Sequence, residues 1–142
     1  MPDRLVAQLR AVGCVFAEEE AAEIRRVLGD DDSAADAVVA ARASGIPLEH
    51  ALGTALFAGI EVAVGPGVFV PRARAETLIE KAVTLRPDAR VVVDLGTGCG
   101  AIAAAVKSRL PEAVVYAADI DPLALTFATR NATRYGFTVH EG

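Results

Sequence analysis

Apolar residues at helical spacing dominate the first fifty or so residues of the chain. The apolar positions of the first predicted helix recur every three or four residues: Leu5, Val6, Leu9 and Val12. The next segment, AEEEAAEIRRVLG, has acids early and arginines late, as the helix dipole favours. Ser33 and Asp36 form an S-x-x-D capping pattern that predicts the start of a third helix, and PLEHALG predicts a short fourth one. We therefore expect an N-terminal helical domain over residues 1–54.

Between residues 55 and 72 the pattern changes to alternation. Ile60, Val62 and Val64 are separated by single residues of other types, which is the period of a strand with one buried face. The sequence GPG at 65–67 is typical of a turn, and VFV follows it at 68–70. These features predict a β-hairpin linker over 55–72 with its turn at 65–67.

From residue 73 onwards, predicted helices and strands alternate. A helix over roughly 74–85 precedes a buried strand at VVVDL, and a helix at about 100–109 leads to a strand at AVVYAAD. The helix PLALTFATRNATRYG and a strand beginning at FTVH complete the series. Such alternation predicts a parallel sheet with right-handed crossovers. We expect residues 73–142 to form the first part of an α/β domain with an incomplete sheet, whose first strand lacks a partner on one edge and so favours self-association or instability.

Composition and charge exclude several classes of protein. The 142 residues are 53% hydrophobic and 23% charged, as in globular proteins, and the net charge of -5 disfavours a nucleic-acid-binding surface. No apolar run is long enough for a membrane span, and the N-terminus lacks the apolar core of a signal peptide. Cys14 and Cys99 have neither metal-site nor redox spacing. We expect a cytoplasmic protein with no metal site and no direct contact with nucleic acid or membrane.

The stretch VVVDLGTGCG at 91–100 carries the candidate chemistry. Glycines at 96, 98 and 100 allow the backbone to turn sharply and to lie against a ligand, and the helix that follows points its free N–H groups at the loop. Asp119 ends the next predicted strand, about 20 residues later, where a carboxylate can accept hydrogen bonds from both hydroxyls of a ribose. The pattern predicts a ligand that contains a ribose.

Asp94 bears on which ribose compound is bound. Gly96, Gly98 and Ala101 also satisfy G-x-G-x-x-A, the dinucleotide fingerprint, so NAD is an alternative. A carboxylate two residues before the first glycine would face a pyrophosphate unfavourably, whereas the ammonium and sulfonium of S-adenosylmethionine would attract it. S-adenosylmethionine is therefore favoured, unless Asp94 and Asp119 merely cap a turn and a helix. The candidate cofactor-binding residues are Asp94, Gly96, Thr97, Gly98, Cys99, Gly100 and Asp119.

Three segments together resemble the protein-(glutamine-N5) methyltransferases of the HemK/PrmC family. They are ARASGIPLEHALGTALFAGIEVAVGPGVFVPR at 41–72, VVVDLGTGCGAIAAA and AADIDPLAL. The residues that match the family pattern over 41–72 are Arg42, Gly45, Pro47, Leu48, Gly53, Phe57, Gly59, Gly67, Val68, Pro71 and Arg72. The resemblance implies a Rossmann-like S-adenosylmethionine-dependent methyltransferase fold, with an N-terminal helical domain that docks the protein substrate and a β-hairpin linker.

The resemblance also implies an activity, which is methylation of a glutamine side-chain nitrogen, typically in a peptide chain release factor. It further implies that Gly96 to Gly100 line the methionine part of S-adenosylmethionine and that Asp119 holds the ribose. A truncated, non-catalytic adaptor and a NAD(P)-binding oxidoreductase domain are the alternatives.

The sequence departs from the family pattern in three places. RARAE follows Pro71 where the family has RPETE, which resembles a PrmC-related subgroup, and His50 replaces a tyrosine. The N-P-P-Y motif that grips the glutamine amide is absent, as in a chain that is a fragment, so we identify no catalytic residue and expect no methyl transfer by this chain alone.

Other polar residues are expected to have structural or surface roles. Asn131 lies in a helix pattern and is expected on the helix surface, and His50 and His140 have no acid or cysteine at catalytic spacing. Cys99 is expected to be a small loop residue. Arg72 and Arg74 are either substrate or cofactor contacts or a solvated pair.

Overall fold

The computed structural model describes residues 3–142, which divide into two compact units, one ending at Gly53 and the other comprising Thr54–Gly142. The first two residues of the predicted domain 1–54 lie outside the described residues. Within residues 3–142 no helix combines the length and the apolar character that are needed to cross a bilayer.

Four helices make up the first unit: α1 (Arg4–Ala11), α2 (Ala17–Leu28), α3 (Asp32–Ala43) and α4 (Leu48–Leu52). Their apolar faces meet in one core that contains Leu5, Leu9 and Ile24. The predicted S-x-x-D cap at Ser33 is wrong. Asp31 is the N-cap of α3 and its carboxylate accepts a hydrogen bond from the Ala34 N–H at 2.9 Å. An acid two residues earlier already caps the helix by accepting one of its free N–H groups, so the helix begins before Ser33.

The second unit opens with an antiparallel hairpin of β1 (Thr54–Phe57) and β2 (Ile60–Ala63). Its turn is formed by Ala58 and Gly59, which both have positive φ, at 49° and 79°. Two central residues of this kind give the twist that a two-residue hairpin needs. The predicted turn at 65–67 is therefore wrong as the hairpin turn. The chain does bend there, with the Val68 N–H bonded to the Gly65 carbonyl, but residues 68–70 pair with no strand.

The rest of the second unit is a series of alternating helices and parallel strands. A 3₁₀ turn (Ala73–Ala75) leads into α5 (Glu76–Leu85), and the series continues with β3 (Val91–Leu95), α6 (Ala101–Arg109), β4 (Val114–Asp119), α7 (Pro122–Tyr135) and β5 (Thr138–Glu141). The strands lie in the order β3-β4-β5 and all are parallel, with Asp94 opposite Ala117. This arrangement confirms the predicted Rossmann-like fold with an incomplete parallel sheet.

One face of the sheet is covered by helices and the other is exposed. Both crossovers step in the same direction along the sheet, and right-handed connections then place α6 and α7 on the same face. On that face Val115 and Ala117 are buried. On the opposite face Val91, Val93 and Leu95 are exposed, so the expectation that β3 is a buried strand is wrong for three of its five residues.

Candidate functional site

A cleft of about 480 Å³ opens at the carboxyl ends of β3 and β4. Ligands bind at this edge of open α/β sheets, because the loops that leave the strands gather there. The floor of the cleft is the loop between β3 and α6, and the β4–α7 connection and the segment from Phe57 to Ala75 form its walls. The residues that line it are Phe57, Gly67, Val68, Phe69, Pro71, Arg72, Arg74, Ala75, Gly96, Thr97, Gly98, Cys99, Ala101, Ile102, Asp119, Asp121 and Ala124.

The glycines of the floor have two different roles. Gly96, Gly98 and Gly100 all have positive φ, at 67°, 59° and 82°, a conformation that other residues adopt at a cost. A Cβ at Gly96 or Gly98 would find no atom within 4 Å, so these two positions face open space. A Cβ at Gly100 would lie 2.8 Å from the ring of Phe137. Gly96 and Gly98 therefore leave the backbone of the floor open at their own positions, while Gly100 allows close packing behind it.

Asp119 ties the floor to the neighbouring wall. Its Oδ2 accepts a hydrogen bond from the Gly98 N–H at 2.8 Å, and its Oδ1 accepts one from the Asp121 N–H at 2.9 Å. These two bonds, from Asp121 first and then from Gly98, hold the pKa of the Asp119 carboxyl below its ordinary value. Asp119 is therefore anionic at neutral pH, and each of its oxygens retains a lone pair for a hydroxyl donor.

Asp94 lies behind the floor rather than among the residues that line the cleft. The Thr97 hydroxyl donates a hydrogen bond to Asp94 Oδ2 at 2.7 Å, and this bond stabilises the loop on the side away from the cleft. Burial raises the pKa of the Asp94 carboxyl, and the charge of Asp119 adds to that shift. Of the seven predicted cofactor-binding residues, Gly96, Thr97, Gly98, Cys99 and Asp119 line the cleft, and Asp94 and Gly100 support it from behind.

Comparison with known proteins decides the family. The sequence profile of the methyltransferase small domain matches residues 60–141, which is more than half of the chain and includes the whole floor of the cleft. The chain belongs to the methyltransferase small domain family.

Several curated relatives of this methyltransferase domain share one name. Release factor glutamine methyltransferase of Mycolicibacterium smegmatis is 49% identical over 96 residues, which cover 67% of this chain and 34% of that protein. The protein of the same name from Geobacter sulfurreducens is 41% identical over 107 residues, covering 74% of this chain and 38% of that protein. These matches confirm the resemblance to the HemK/PrmC methyltransferases. The chain spans a little over a third of the length of the relatives that it matches.

The cleft of the methyltransferase domain has the size and the chemistry to hold S-adenosylmethionine. Its volume of about 480 Å³ is within the ordinary range of small-molecule sites, which is roughly 300–1,000 Å³. The open positions at Gly96 and Gly98 let a ligand lie directly on the backbone. Asp119 presents an anionic carboxylate to hydroxyls, and no phosphate is needed to satisfy the site. The residues present therefore fit the cofactor of this family.

Sequence reasoning missed much of the wall opposite the floor. Phe57, Val68 and Phe69 line the cleft, although nothing in the sequence next to them indicates a binding role. The family motif around Gly67 to Arg72 was the one sequence feature that could have indicated that this segment belongs to the site. Arg72 and Arg74 also line the cleft, and the Arg72 guanidinium lies 5.3 Å from the centroid of the Phe69 ring. Neither histidine is among the lining residues. His140 packs on Tyr116, with ring centroids 5.6 Å apart.

Two other residues of the methyltransferase domain were also predicted from sequence. Cys99 is buried, and burial raises the pKa of its thiol, as suits a small loop residue. Asn131 was expected on the helix surface, and this is wrong. It is 2% exposed and its side chain is hydrogen-bonded to Ala63 and to Cys99. A polar residue in a helix becomes buried when the fold supplies partners for each of its polar atoms.

Proposed function

We propose that this chain binds S-adenosylmethionine in the cleft and forms part of a protein that methylates a glutamine side-chain amide, with a peptide chain release factor as the substrate. The observation that carries the proposal is the open backbone at Gly96 and Gly98 in the floor, with the Gly98 N–H bonded directly to the Asp119 carboxylate. The names of the relatives, all release factor glutamine methyltransferases at 41–49% identity, support the acceptor.

Different residues of the chain are assigned to different parts of the ligand. Asp119 would accept hydrogen bonds from the two ribose hydroxyls, and residues 96–100 would hold the methionine part of the ligand. Arg72 and Arg74 place two cations on the outer wall, where the carboxylate of the methionine part needs a partner. When bound, S-adenosylmethionine would supply an electrophilic methyl group for the amide nitrogen, which would lose a proton, and S-adenosylhomocysteine would be the other product.

The partner and the location follow from the same proposal. The helical unit that ends at Gly53 docks the protein substrate, and residues 55–72 link it to the cofactor-binding part. Because release factors act in translation, the reaction belongs in the cytoplasm. The RARAE sequence after Pro71 favours a PrmC-related subgroup, for which a substrate protein other than a release factor is the second candidate.

Titration calorimetry tests the cofactor. S-adenosylmethionine, S-adenosylhomocysteine and NAD are titrated into the wild-type chain, into Asp119→Asn and into the control Glu112→Gln, which changes an exposed acid outside the cleft. We expect the wild type and the control to bind the first two ligands and not NAD. Asp119→Asn should bind about tenfold more weakly, because it loses charge-assisted hydrogen bonds. Binding of NAD would favour an oxidoreductase, and binding of none of the ligands would favour a non-catalytic adaptor.

Radiolabelled methyl transfer tests the acceptor. A release factor and its Gln→Ala variant in the Gly-Gly-Gln motif are incubated with labelled S-adenosylmethionine and either this chain or its full-length gene product. We expect label on the unchanged factor only, and only with the longer protein, because N-P-P-Y is absent from the 142 residues. Equal labelling of both factors would contradict the proposed acceptor, and turnover by the 142-residue chain alone would contradict the expectation that these residues do not suffice for methyl transfer.

A further inference from the structure

Helix α7 and the segment from Glu61 to Gly67 lie against each other in a regular register. The Tyr135 hydroxyl donates a hydrogen bond to the Glu61 carbonyl, and the Asn131 side chain bonds to both backbone groups of Ala63. A Cβ at Gly65 would lie 2.4 Å from the Phe127 ring, and one at Gly67 would lie 2.3 Å from Leu123. Every fourth residue of the helix thus meets every second residue of the segment, in opposite directions: 123 with 67, 127 with 65, 131 with 63 and 135 with 61.

This register follows from the two backbone repeats. Four residues of α-helix rise about 6 Å and two residues of extended chain advance about 6.5 Å, so the pairs at 61, 63 and 65 stay aligned. After Gly65 the chain turns, with the Val68 N–H bonded to the Gly65 carbonyl, and Gly67 still lies against Leu123. Glycine at 65 and 67 lets the segment approach the helix closely where large apolar side chains face it. Apolar contacts of this kind do not fix a unique register, because they can slide along the helix. A directional polar contact is what fixes it.

Asn131 supplies that contact and extends it to the floor of the cleft. Its Oδ1 accepts a hydrogen bond from the Ala63 N–H at 2.7 Å. Its Nδ2 donates to the Ala63 carbonyl at 3.0 Å and to the Cys99 carbonyl at 2.7 Å. With the residue 2% exposed, both amide hydrogens and the amide oxygen are satisfied inside the protein. One side chain therefore joins the hairpin, the helix and the glycine loop.

We propose that Asn131 is a positioning residue that sets the separation between the floor of the cleft and its opposite wall. The floor is fixed through the Cys99 carbonyl, and the wall is fixed through Ala63, from which the chain runs directly into the lining residues Gly67 to Ala75. Asn131 is not among the residues that line the cleft, so it acts on a ligand through the two segments that it holds. The identity of that ligand rests on the proposed function, whereas the link between the segments does not.

The variant Asn131→Asp tests the proposal, because aspartate has nearly the same shape and keeps an acceptor for the Ala63 N–H but loses both donors. Val115→Ala is the matched control, since Val115 is equally buried in the same unit and does not line the cleft. Affinity for S-adenosylhomocysteine is measured by calorimetry under conditions where urea unfolding shows each protein to be folded. We expect at least a tenfold loss for Asn131→Asp and less than a twofold loss for Val115→Ala.

Amide hydrogen exchange separates failure of this inference from failure of the proposed function. Faster exchange at the Thr97, Gly98 and Gly100 amides of Asn131→Asp, with unchanged exchange in the middle of β4, is expected whether or not the wild type binds the ligand. Equal affinity and equal exchange in wild type and variant would overturn the inference. If Asn131→Asp does not fold, hydrogen exchange of the wild type still tests the inference. Its Asn131 side-chain amide protons are expected to exchange slowly, and free exchange with solvent would overturn the inference.

Discussion

Two aspartates at the same edge of the sheet, Asp94 and Asp119, have opposite electrostatic surroundings. Asp119 accepts backbone N–H groups, which lower the pKa of its carboxyl, so its charge is stabilised by the fold. Asp94 accepts one hydroxyl beneath the loop, and burial raises the pKa of its carboxyl, so its charge costs folding free energy. Such an unfavourable charge at a ligand site is consistent with a role toward a cationic ligand.

Replacing Asp94 by asparagine is therefore expected to increase stability at pH 7. The folded pKa is raised above the unfolded value, so the stability that protonated Asp94 provides is present below the unfolded pKa and is lost as pH rises through the folded pKa. Asparagine keeps an acceptor for the Thr97 hydroxyl without the charge. Urea unfolding of the wild type and of Asp94→Asn at several pH values should show a gain at pH 7 that disappears toward acid pH. A gain that does not depend on pH would contradict this account.

Only some residues of the site could be predicted from the sequence. The glycines and Asp119 could be predicted because their spacing along the chain encodes the turn and the strand end directly. Asn131 could not, because its partners Ala63 and Cys99 lie 68 and 32 residues away and become neighbours only when the fold is complete. The wall residues Phe57 and Phe69 carry no local signature for the same reason.

Helices α2 and α3 are joined by an ion pair that is largely shielded from water. Arg42 donates to both carboxylate oxygens of Glu20, at 2.7 and 2.8 Å, and also to the Ile46 carbonyl at 2.8 Å. The hydrogen bond from Arg42 lowers the pKa of the Glu20 carboxyl, with burial opposing the shift. A bidentate pair with little solvent screening stabilises the packing of two helices more than an exposed pair does.

Glu20→Gln should lower the free energy of unfolding by about 2 kcal/mol at pH 7, since it breaks charge-assisted hydrogen bonds and leaves Arg42 unpaired. The folded pKa of Glu20 is depressed, so its contribution is present above the unfolded pKa and is lost as pH falls through the folded pKa. The effect is measured by denaturant unfolding at pH 7 and at an acid pH below the folded pKa of Glu20. The control is Glu18→Gln, whose partner Arg10 is exposed, and it should cost less than about 1 kcal/mol. Equal effects of the two variants would show that burial does not strengthen the Glu20–Arg42 ion pair.

The close approach of α7 to the hairpin segment gives a second prediction for an element. Gly65→Ala would place a Cβ 2.4 Å from the Phe127 ring, which is buried and has little room to move. Overpacking of this kind costs about 1–3 kcal/mol. The double variant Gly65→Ala/Phe127→Leu should recover part of the loss relative to Phe127→Leu alone, and a thermal-unfolding double-mutant cycle measures the coupling. Strict additivity would show that the two residues do not contact each other.

Periodicity predicted the helices and the parallel strands well because each is defined by its own residues. The hairpin turn was misplaced because GPG has the composition of a turn, whereas Ala58 and Gly59 carry the two positive φ angles that pairing requires. Gly65 and Gly67 instead meet a helix more than fifty residues further along the chain. Such a contact cannot be told from a turn by composition alone.

At the scale of the whole molecule, the exposed edge and face of β3 are the features that we expect to govern self-association. Within residues 3–142 it has a strand neighbour on one side only, so backbone N–H and C=O groups remain unpaired along its other edge. Its outer face is also apolar, with Val91, Val93 and Leu95 exposed at 62%, 55% and 77%. Unpaired backbone groups beside an apolar face are a template for pairing with another strand.

We therefore expect the 142-residue chain to self-associate in a concentration-dependent manner through β3. Val93→Lys places a charge in the middle of the exposed face and should shift sedimentation velocity profiles towards the monomer, because burying an unpaired charge in an apolar interface is costly. Leu78→Lys is the matched control, since Leu78 is similarly exposed at 58% but lies on α5. The control should associate like the wild type. A wild type that stays monomeric as its concentration is raised, or a control that dissociates as readily as Val93→Lys, would show that the edge of β3 is not the site of association.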